Sequence, residues 1–443
     1  MANENAPFDP YESIRYIPAC YNYEDSDNSA LSLILTLRPE WREVKDSVEF
    51  VRFTDGITNT LLKAINKQPG LSQAQIDDEA VLLRAYGKDT EVLIDRKSRF
   101  SPPCNDAHTD VREEETSSHC LLARHGLAPA LLARFDNGLL YKYLQGNVCS
   151  PTDLRKPEVW RGVAQRLGQW HAELPINSIS TTCPTPTQIA PSKTKRASLV
   201  AMADLTPGKP IPNVWTTMQR WILQLPISTT QQLERRALLQ KELQWLVARL
   251  GDTPGVGGTN SFVFAHCDLL SGNVIIEPAP SSASASRRSS ASGGSEENEP
   301  PATVSFIDYE YATPAPASFD IANHFAEWGG FDCDFTVLPT CHVRRAFLRE
   351  YLYSFSMHMN RAFKESELDE LFDQVDAFRG VPGFYWGIWA LIQAKISLIN
   401  FDYASYAEIR LGEYWAWKRE MNGERAAAGE QVPVRERRWA QDE

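Results

Sequence analysis

The chain has 443 residues, of which 43% are hydrophobic and 23% charged. This is the balance of a globular protein too long for one ordinary core. The net charge of -12 argues against a phosphate-backbone binder, whose affinity needs clustered Lys and Arg, but permits a small anionic ligand held by local charge.

Residues 1–30 read as an N-terminal extension, beginning with an acidic, polar stretch unlike a signal peptide. "VEFVRF" (48–53), "AVLLRAYG" (80–87) and "EVLIDR" (91–96) then have strand character. "VREEETSSHCLLARHG" is expected to be a helix closed by Gly126, and "NGLLYKYLQG" (137–146) another strand. Helical periodicity follows at 158–173, 213–225, 231–250, 340–359, 366–378 and 382–417, with a short strand pair at 262–277 and 303–308. A strand-rich front (31–145) and a mostly helical remainder (146–418) suggest two unequal lobes with chemistry in a cleft.

Segments 179–196, 206–213 and 278–302 are rich in Ser, Thr, Pro and Gly and are expected to be loops, the first and last as disordered inserts. The charged tail 419–443 is expected to fray. Eight cysteines form no CxxC pair, which argues against zinc and thioredoxin-like sites. The apolar stretch Phe384–Ile392 is far shorter than the roughly 18 to 20 residues needed to span a bilayer. These features point to a reduced, cytosolic protein without a membrane span.

The chemistry concentrates in "FVFAHCDLLSGNVIIEP" (262–278). His266-x-Asp268-Leu-x-x-x-Asn273 has the spacing of a kinase catalytic loop. There the Asp accepts the attacking hydroxyl's proton, and the Asn reaches a metal on the ATP phosphates. Mg²⁺ needs a further carboxylate, and Asp308 at the end of the apolar run in "VSFIDYEYA" supplies it. The alternative is a surface turn with a capping Asp, which the second motif makes less economical. Arg is missing after His266, "DYE" replaces Asp-Phe-Gly, and no G-x-G-x-x-G loop occurs, so this is not a protein kinase pattern.

"FTDGITN" (53–59), "HCDLLSGN", "IDYEYATPAPASFDIANHFAEW" (307–328) and "WGIWALIQAKISLINFDYASY" (386–406) resemble the choline/ethanolamine kinase family, from about residue 30 to 415. The resemblance implies an α+β, two-lobe protein-kinase-like fold, with a small strand-rich nucleotide-binding lobe and a larger helical catalytic and substrate lobe. "FTDGITN" and the Asp-Leu-Leu after His266 look like the ethanolamine branch. The implied reaction is ATP-dependent phosphorylation of the ethanolamine hydroxyl, the first step of the CDP-ethanolamine route to phosphatidylethanolamine. The cofactors are ATP and Mg²⁺, and the partner is the small-molecule substrate, not nucleic acid; oligomeric state is left open. Choline, another aminoalcohol or an aminoglycoside-like amine is the alternative substrate. An inactive kinase-like scaffold is the alternative class, and the intact Asp268, Asn273 and Asp308 argue against it.

Carried onto this sequence, the resemblance makes Asp268 the catalytic base, with Asn273 and Asp308 as metal ligands. Asp55, Gly56, Thr58 and Asn59 would cover the phosphates, Arg84 would approach them, and Glu115 would pair with Arg84. Tyr143 and Leu144 would form the hinge beside adenine. By residue pattern alone, Arg84 reads as a surface arginine at a strand end and Glu115 as a solvated helix residue. A small ammonium substrate needs compensating groups, and Tyr311, Glu327, Trp386, Trp389 and Tyr406 are the candidates. Trp386 and Trp389 share a helical face and read equally as core aromatics. His324, without a metal-spaced second His, reads as a core or loop-supporting residue.

Overall fold

A computed structural model describes residues 14–53, 59–86, 118–176, 205–258, 262–278, 300–397 and 399–443. It divides into two compact units, Met1–Gly146 and Asn147–Glu443.

The first unit is built on a six-stranded sheet of order β1-β5-β6-β4-β3-β2. Its strands are β1 (Tyr16–Ile17), β2 (Val48–Phe53), β3 (Asn59–Asn66), β4 (Val81–Tyr86), β5 (Leu131–Phe135) and β6 (Gly138–Lys142). All pairings are antiparallel except β1 with β5. Helix α1 (Ser26–Leu37) places Ala30, Leu33 and Ile34 on one face, and these pack with Leu62, Leu83 and Leu140 in the core of this unit. A short helix, α2 (Gln73–Glu79), starts with a capping box between Ser72 and Gln75.

The expected N-terminal extension (1–30) therefore carries a strand of the sheet and the start of its covering helix. Asn137, in the β5–β6 turn, accepts from Tyr21 N–H at 2.8 Å and donates to Tyr21 O at 2.9 Å. A two-residue strand has no periodicity to read, so this docking shows only in three dimensions. Of the expected strands, 48–53 and the cores of 80–87 and 137–146 form; β3 and β5 are additions. "EVLIDR" and residues 111–117 of the expected helix lie outside the described residues; the described part is helical at 118–124, and Gly126 has φ +67°.

The second unit contains α3 (Pro157–Glu173), α4 (Val214–Gln224), α5 (Thr230–Leu250), α6 (Ala317–Ala326), α7 (Cys341–His358), α8 (Glu365–Phe378), α9 (Val381–Ile396), α10 (Tyr403–Met421), α11 (Glu424–Ala428) and α12 (Val434–Trp439). Short strands β7 (Asn147–Val148), β8 (Val263–Ala265), β9 (Val274–Ile276), β10 (Val304–Phe306) and β11 (Thr313–Ala315) form two small sheets, β10-β9-β7 and β11-β8.

Two expectations are corrected here, and a third segment keeps its expected loop. The helix expected over 382–417 is two helices, because Ser397 is extended and Asp402 caps the second one, accepting from Ser405 N–H at 3.0 Å. The tail does not fray: α11 and α12 form, and Trp439 is buried with its indole N–H on Asp376 at 2.7 Å and the Arg344 guanidinium over its ring. Composition counts its charges as solvated, whereas Arg419, Arg425 and Arg435 are in ion pairs. Segment 206–213 ends in a buried Asn213 that caps α4, accepting from Trp215 and Thr216 N–H groups. Residues 177–204 and 279–299, with most of the two Ser-rich inserts, lie outside the described residues. Among the described residues no helix is long and apolar enough to cross a membrane.

Helices α9 and α10 approach closely. A Cβ on Gly383 would stand 2.5 Å from Arg410 O, and one on Gly387 2.7 Å from the Leu411 side chain. Two glycines thus let the helix carrying Trp386 and Trp389 lie against the one carrying Tyr406 and Arg410.

Candidate active site

Apolar β8 delivers the chain into a loop, His266 to Asn273, before β9 resumes. β9 and β10 pair antiparallel, with Ile276 opposite Val304 and Val274 opposite Phe306. Asp308 follows β10, and Ile307 N–H donates to Asn273 O at 3.0 Å. The pairing thus brings the loop's end beside Asp308, although an insert separates them in sequence.

Asp268 is buried, and its side-chain Oδ2 accepts from Asn273 Nδ2 at 3.0 Å; the same amide also donates to Asp268 O at 2.7 Å. Burial, then the neighbouring Asp308, Glu327 and Glu310 carboxylates, push its pKa well above the usual carboxylate range, against the Asn273 bond. His266 bridges the two strands. Its Nε2–H donates to Ile307 O at 3.1 Å, and Nδ1 accepts from Asp268 N–H at 3.3 Å. The carbonyl can only accept, which assigns the tautomer. Cys267 and Asp308 both adopt positive φ, +62° and +63°, a backbone state that side chains other than Gly favour little.

The loop is stapled by α6, whose contribution the sequence reading missed. Asp320 accepts from His266 N–H and Cys267 N–H, both at 2.8 Å, and from His171 Nε2 at 3.0 Å. Burial raises the Asp320 pKa, but the His171 bond and the loop N–H groups outweigh it and hold the carboxyl below its usual range. Asn323 donates to Cys267 O at 2.9 Å, and His324 Nδ1 donates to Leu269 O at 2.8 Å. Positions 320, 323 and 324 are i, i+3 and i+4. Three polar residues on one face of the otherwise apolar "SFDIANHFA" were the available signal. His324 supports the loop, as its lack of a spaced partner suggested.

Asn323 also ties the loop to the aromatic wall, its Oδ1 accepting from Trp386 Nε1 at 2.8 Å. Trp389 Nε1 donates to Tyr311 Oη at 2.9 Å, and the Trp386 and Trp389 rings meet edge to face, centroids 5.4 Å apart. Tyr403, unremarked in the sequence, packs on Trp389. Arg410 ties Tyr406 to Glu327, donating to Tyr406 Oη and to Glu327 Oε1, each at 3.0 Å, and Tyr406 meets the wall through Phe401, which packs on Tyr403. Arg410 was also missed; it lies 83 residues from its acidic partner. Burial raises the Glu327 pKa, and Arg410 opposes that.

Arg84, in the middle of the sheet opposite Leu61 and Leu139, is 6% exposed, which corrects the surface-arginine alternative. The Tyr143 ring lies under Lys63 Nζ at 3.7 Å, and Leu144 follows it half-buried. Asn59 opens β3 opposite Tyr86. Asp55, Gly56, Thr58 and Glu115 lie outside the described residues.

The choline/ethanolamine kinase family model matches residues 104–415. The chain belongs to the choline/ethanolamine kinase family. Members similar to it include ethanolamine kinase 1 of Mus musculus, 29% identical over 89% of this chain and 90% of the other. Ethanolamine kinase 1 of Homo sapiens is 30% identical over 88% of this chain and 72% of the other. Among solved structures, the Plasmodium vivax ethanolamine kinase superposes with a TM-score of 0.59 at 23% identity, covering 89% of each chain. A choline kinase from Cryptosporidium parvum superposes at 0.54 and 18% identity, covering 89% of this chain and 96% of that one. The fold is that of these kinases, as the resemblance implied: strands in the first unit and mostly helices in the second.

The residues fit a hard divalent cation. Asn273 Nδ2 is committed to Asp268, leaving its Oδ1 as an oxygen donor, and the Asp308 carboxylate is near enough to Asp268 to raise its pKa. Among the described residues no three His, Cys, Asp or Glu side chains converge as a metal cage. One or two protein oxygens completed by phosphate and water is the arrangement Mg²⁺ adopts at nucleotide sites.

Proposed function

We propose that this kinase transfers the γ-phosphoryl group of ATP to the hydroxyl of ethanolamine, giving phosphoethanolamine and ADP in the CDP-ethanolamine route to phosphatidylethanolamine. The observation that carries this reading is the tie between catalytic loop and aromatic wall. Asn323 holds Cys267 O on one side and Trp386 on the other, so one side chain links the loop that carries Asp268 to the aromatic residues. The ethanolamine kinase relatives support the choice of alcohol.

In this reading Asp268 takes the hydroxyl proton as the alcohol oxygen bonds to the γ-phosphorus, and the bond to the β–γ bridging oxygen breaks to release ADP. Asn273 orients the Asp268 carboxylate. Asn273 Oδ1 and Asp308 would hold Mg²⁺, which when bound neutralises phosphate charge. Arg84, Tyr143, Leu144 and the 55–59 segment are the proposed nucleotide residues, with Glu115 as the partner of Arg84. Glu327 is the counter-charge for the ammonium, and Tyr311, Trp386, Trp389 and Tyr406 supply the aromatic faces.

Ethanolamine's ammonium carries N–H donors that a carboxylate can accept, whereas choline's trimethylammonium carries none. Turnover of ATP with a panel of aminoalcohols is the deciding assay. We expect a higher kcat/KM for ethanolamine than for choline. The reverse order rejects the ethanolamine assignment, and absence of turnover with every alcohol supports a scaffold instead. Glu327→Gln is expected to raise the ethanolamine KM more than the choline KM.

A further inference from the structure

The Glu327–Arg410 pair is the first link of a buried chain of alternating charges. Arg410 Nε meets Glu413 Oε1 at 3.0 Å, an ion pair within α10. Glu413 Oε2 accepts from Arg435 Nε at 3.1 Å. Arg435 Nη1 donates to Glu436 Oε1 at 2.9 Å, and Arg379 Nε donates to Glu436 Oε2 at 2.9 Å. Arg435 Nη2 also donates to the backbone of Arg379. Arg410, Glu413, Arg435 and Glu436 are all nearly inaccessible, so solvent does not screen the couplings. The family match ends at residue 415; Arg435 and Glu436 on α12 lie beyond it.

We infer that Arg435 is a positioning residue for substrate recognition: by balancing Glu413, it leaves Arg410 free to orient Glu327 toward the substrate ammonium. This rests on the reading of Glu327 as the counter-charge. The physical reason is competition. Arg410 faces two buried carboxylates, Glu327 and Glu413, and a buried carboxylate short of positive charge is strongly disfavoured. With Arg435 present, Glu413 has its own cation, and Arg410 keeps its bond to Glu327. Without it, Glu413 draws Arg410 along α10, and Glu327 loses the contact that sets its carboxylate plane. The segment that charge composition presents as a solvated tail thus sets the geometry of the Glu327 carboxylate from outside the matched family region.

The experiment measures KM for ethanolamine, KM for ATP and kcat in wild type, Glu327→Gln, Arg435→Met and the double variant Glu413→Gln/Arg435→Met, all full length. Arg435→Met is expected to raise the ethanolamine KM about tenfold, the scale of coupling carried through packed partners, with ATP KM and kcat within about twofold. Removing the competing charge as well should return the ethanolamine KM to within about threefold of wild type, because coupled sites are non-additive. An unchanged ethanolamine KM in Arg435→Met overturns the inference. So does a rise that the double variant fails to reverse, which assigns the effect to packing of the tail. If the Met variant does not fold, Arg435→Lys carries the test: its single ammonium replaces several directional bonds, so a smaller rise, cancelled by Glu413→Gln, is expected, and no rise overturns it. If Glu327→Gln itself leaves the ethanolamine KM unchanged, the assignment of Glu327 fails rather than the relay.

Discussion

A carboxyl buried among other carboxylates keeps its proton to higher pH than a solvated one, and Asp268 is such a group, with Asp308, Glu327 and Glu310 around it. A base must be ionised to act, so kcat/KM for the amine is expected to fall as pH drops through this raised pKa. Its acid limb should lie above the ordinary Asp value of about 4. Because kcat/KM reports the free enzyme and kcat the ternary complex, the kcat limb should lie lower, once cations fill the site. Asp268→Asn is expected to lower kcat by roughly 10² to 10⁴ and to leave ATP affinity nearly unchanged. Turnover close to wild type would remove Asp268 from the base role. Two buried histidines give a separate stability signature. His119 and His324 are each lowered to about 4, chiefly by burial. Below their ordinary 6.5 the unfolded chain binds protons that the native chain does not, so stability present above that pH is lost as pH falls toward 4. Melting temperature measured across this window should decline, and less steeply in a variant with both histidines replaced by Gln.

Helix α6 acts as an element because its three polar side chains hold the backbone of His266, Cys267 and Leu269 in the loop that carries Asp268. Asp320→Ala would strand two buried N–H groups and the His171 donor, and is expected to cost about 3 to 5 kcal/mol together with a large loss of kcat. Asp320→Asn keeps one accepting oxygen and should lose less of both; equal melting temperatures for Ala and wild type would show that α6 does not hold the loop. The C-terminal helices are a second case. Trp439→Ala removes a buried indole, its bond to Asp376 and its stacking under Arg344. It is expected to cost about 3 to 5 kcal/mol, read as a lower thermal midpoint. A fraying tail would show no change.

For the molecule as a whole, the pairing of β9 with β10 is set by residues that flank the 279–299 segment, since Ile276 already faces Val304. Replacing 280–298 with a short Gly-Ser turn should therefore leave thermal midpoint and kcat nearly unchanged, because closure entropy changes by only about 0.6 kcal/mol per doubling of length. Loss of folded protein on replacement would show that the segment contributes contacts of its own. The overall net charge of -12 coexists with a cluster of carboxylates, Asp268, Asp308, Glu310 and Glu327, and with a tail in which Arg419, Arg425 and Arg435 are held in ion pairs. Total charge thus says little about where either sign is needed.

The sequence by itself determined the family, and it offered the kinase-like spacing and a candidate for the second carboxylate. Phosphoryl transfer constrains which residue types recur and how far apart, and that constraint is local along the chain. His266, Asp268 and Asn273 share one loop, and the apolar runs on either side announce the strands that carry it. Helices with a clear 3.6-residue period, such as 157–173 and 230–250, were legible for the same reason. Only the tertiary structure decided what depends on partners far apart in sequence. Asp320 meets His171 at a separation of 149 residues, and Arg410 meets Glu327 at 83. A lone charged residue in a sequence reads as solvated until its counter-ion is located. For that reason Arg84 looked like surface, the tail looked loose, and the relay from Arg435 was invisible. Folding supplies the partner, and burial then turns an ordinary surface charge into a constraint on the site.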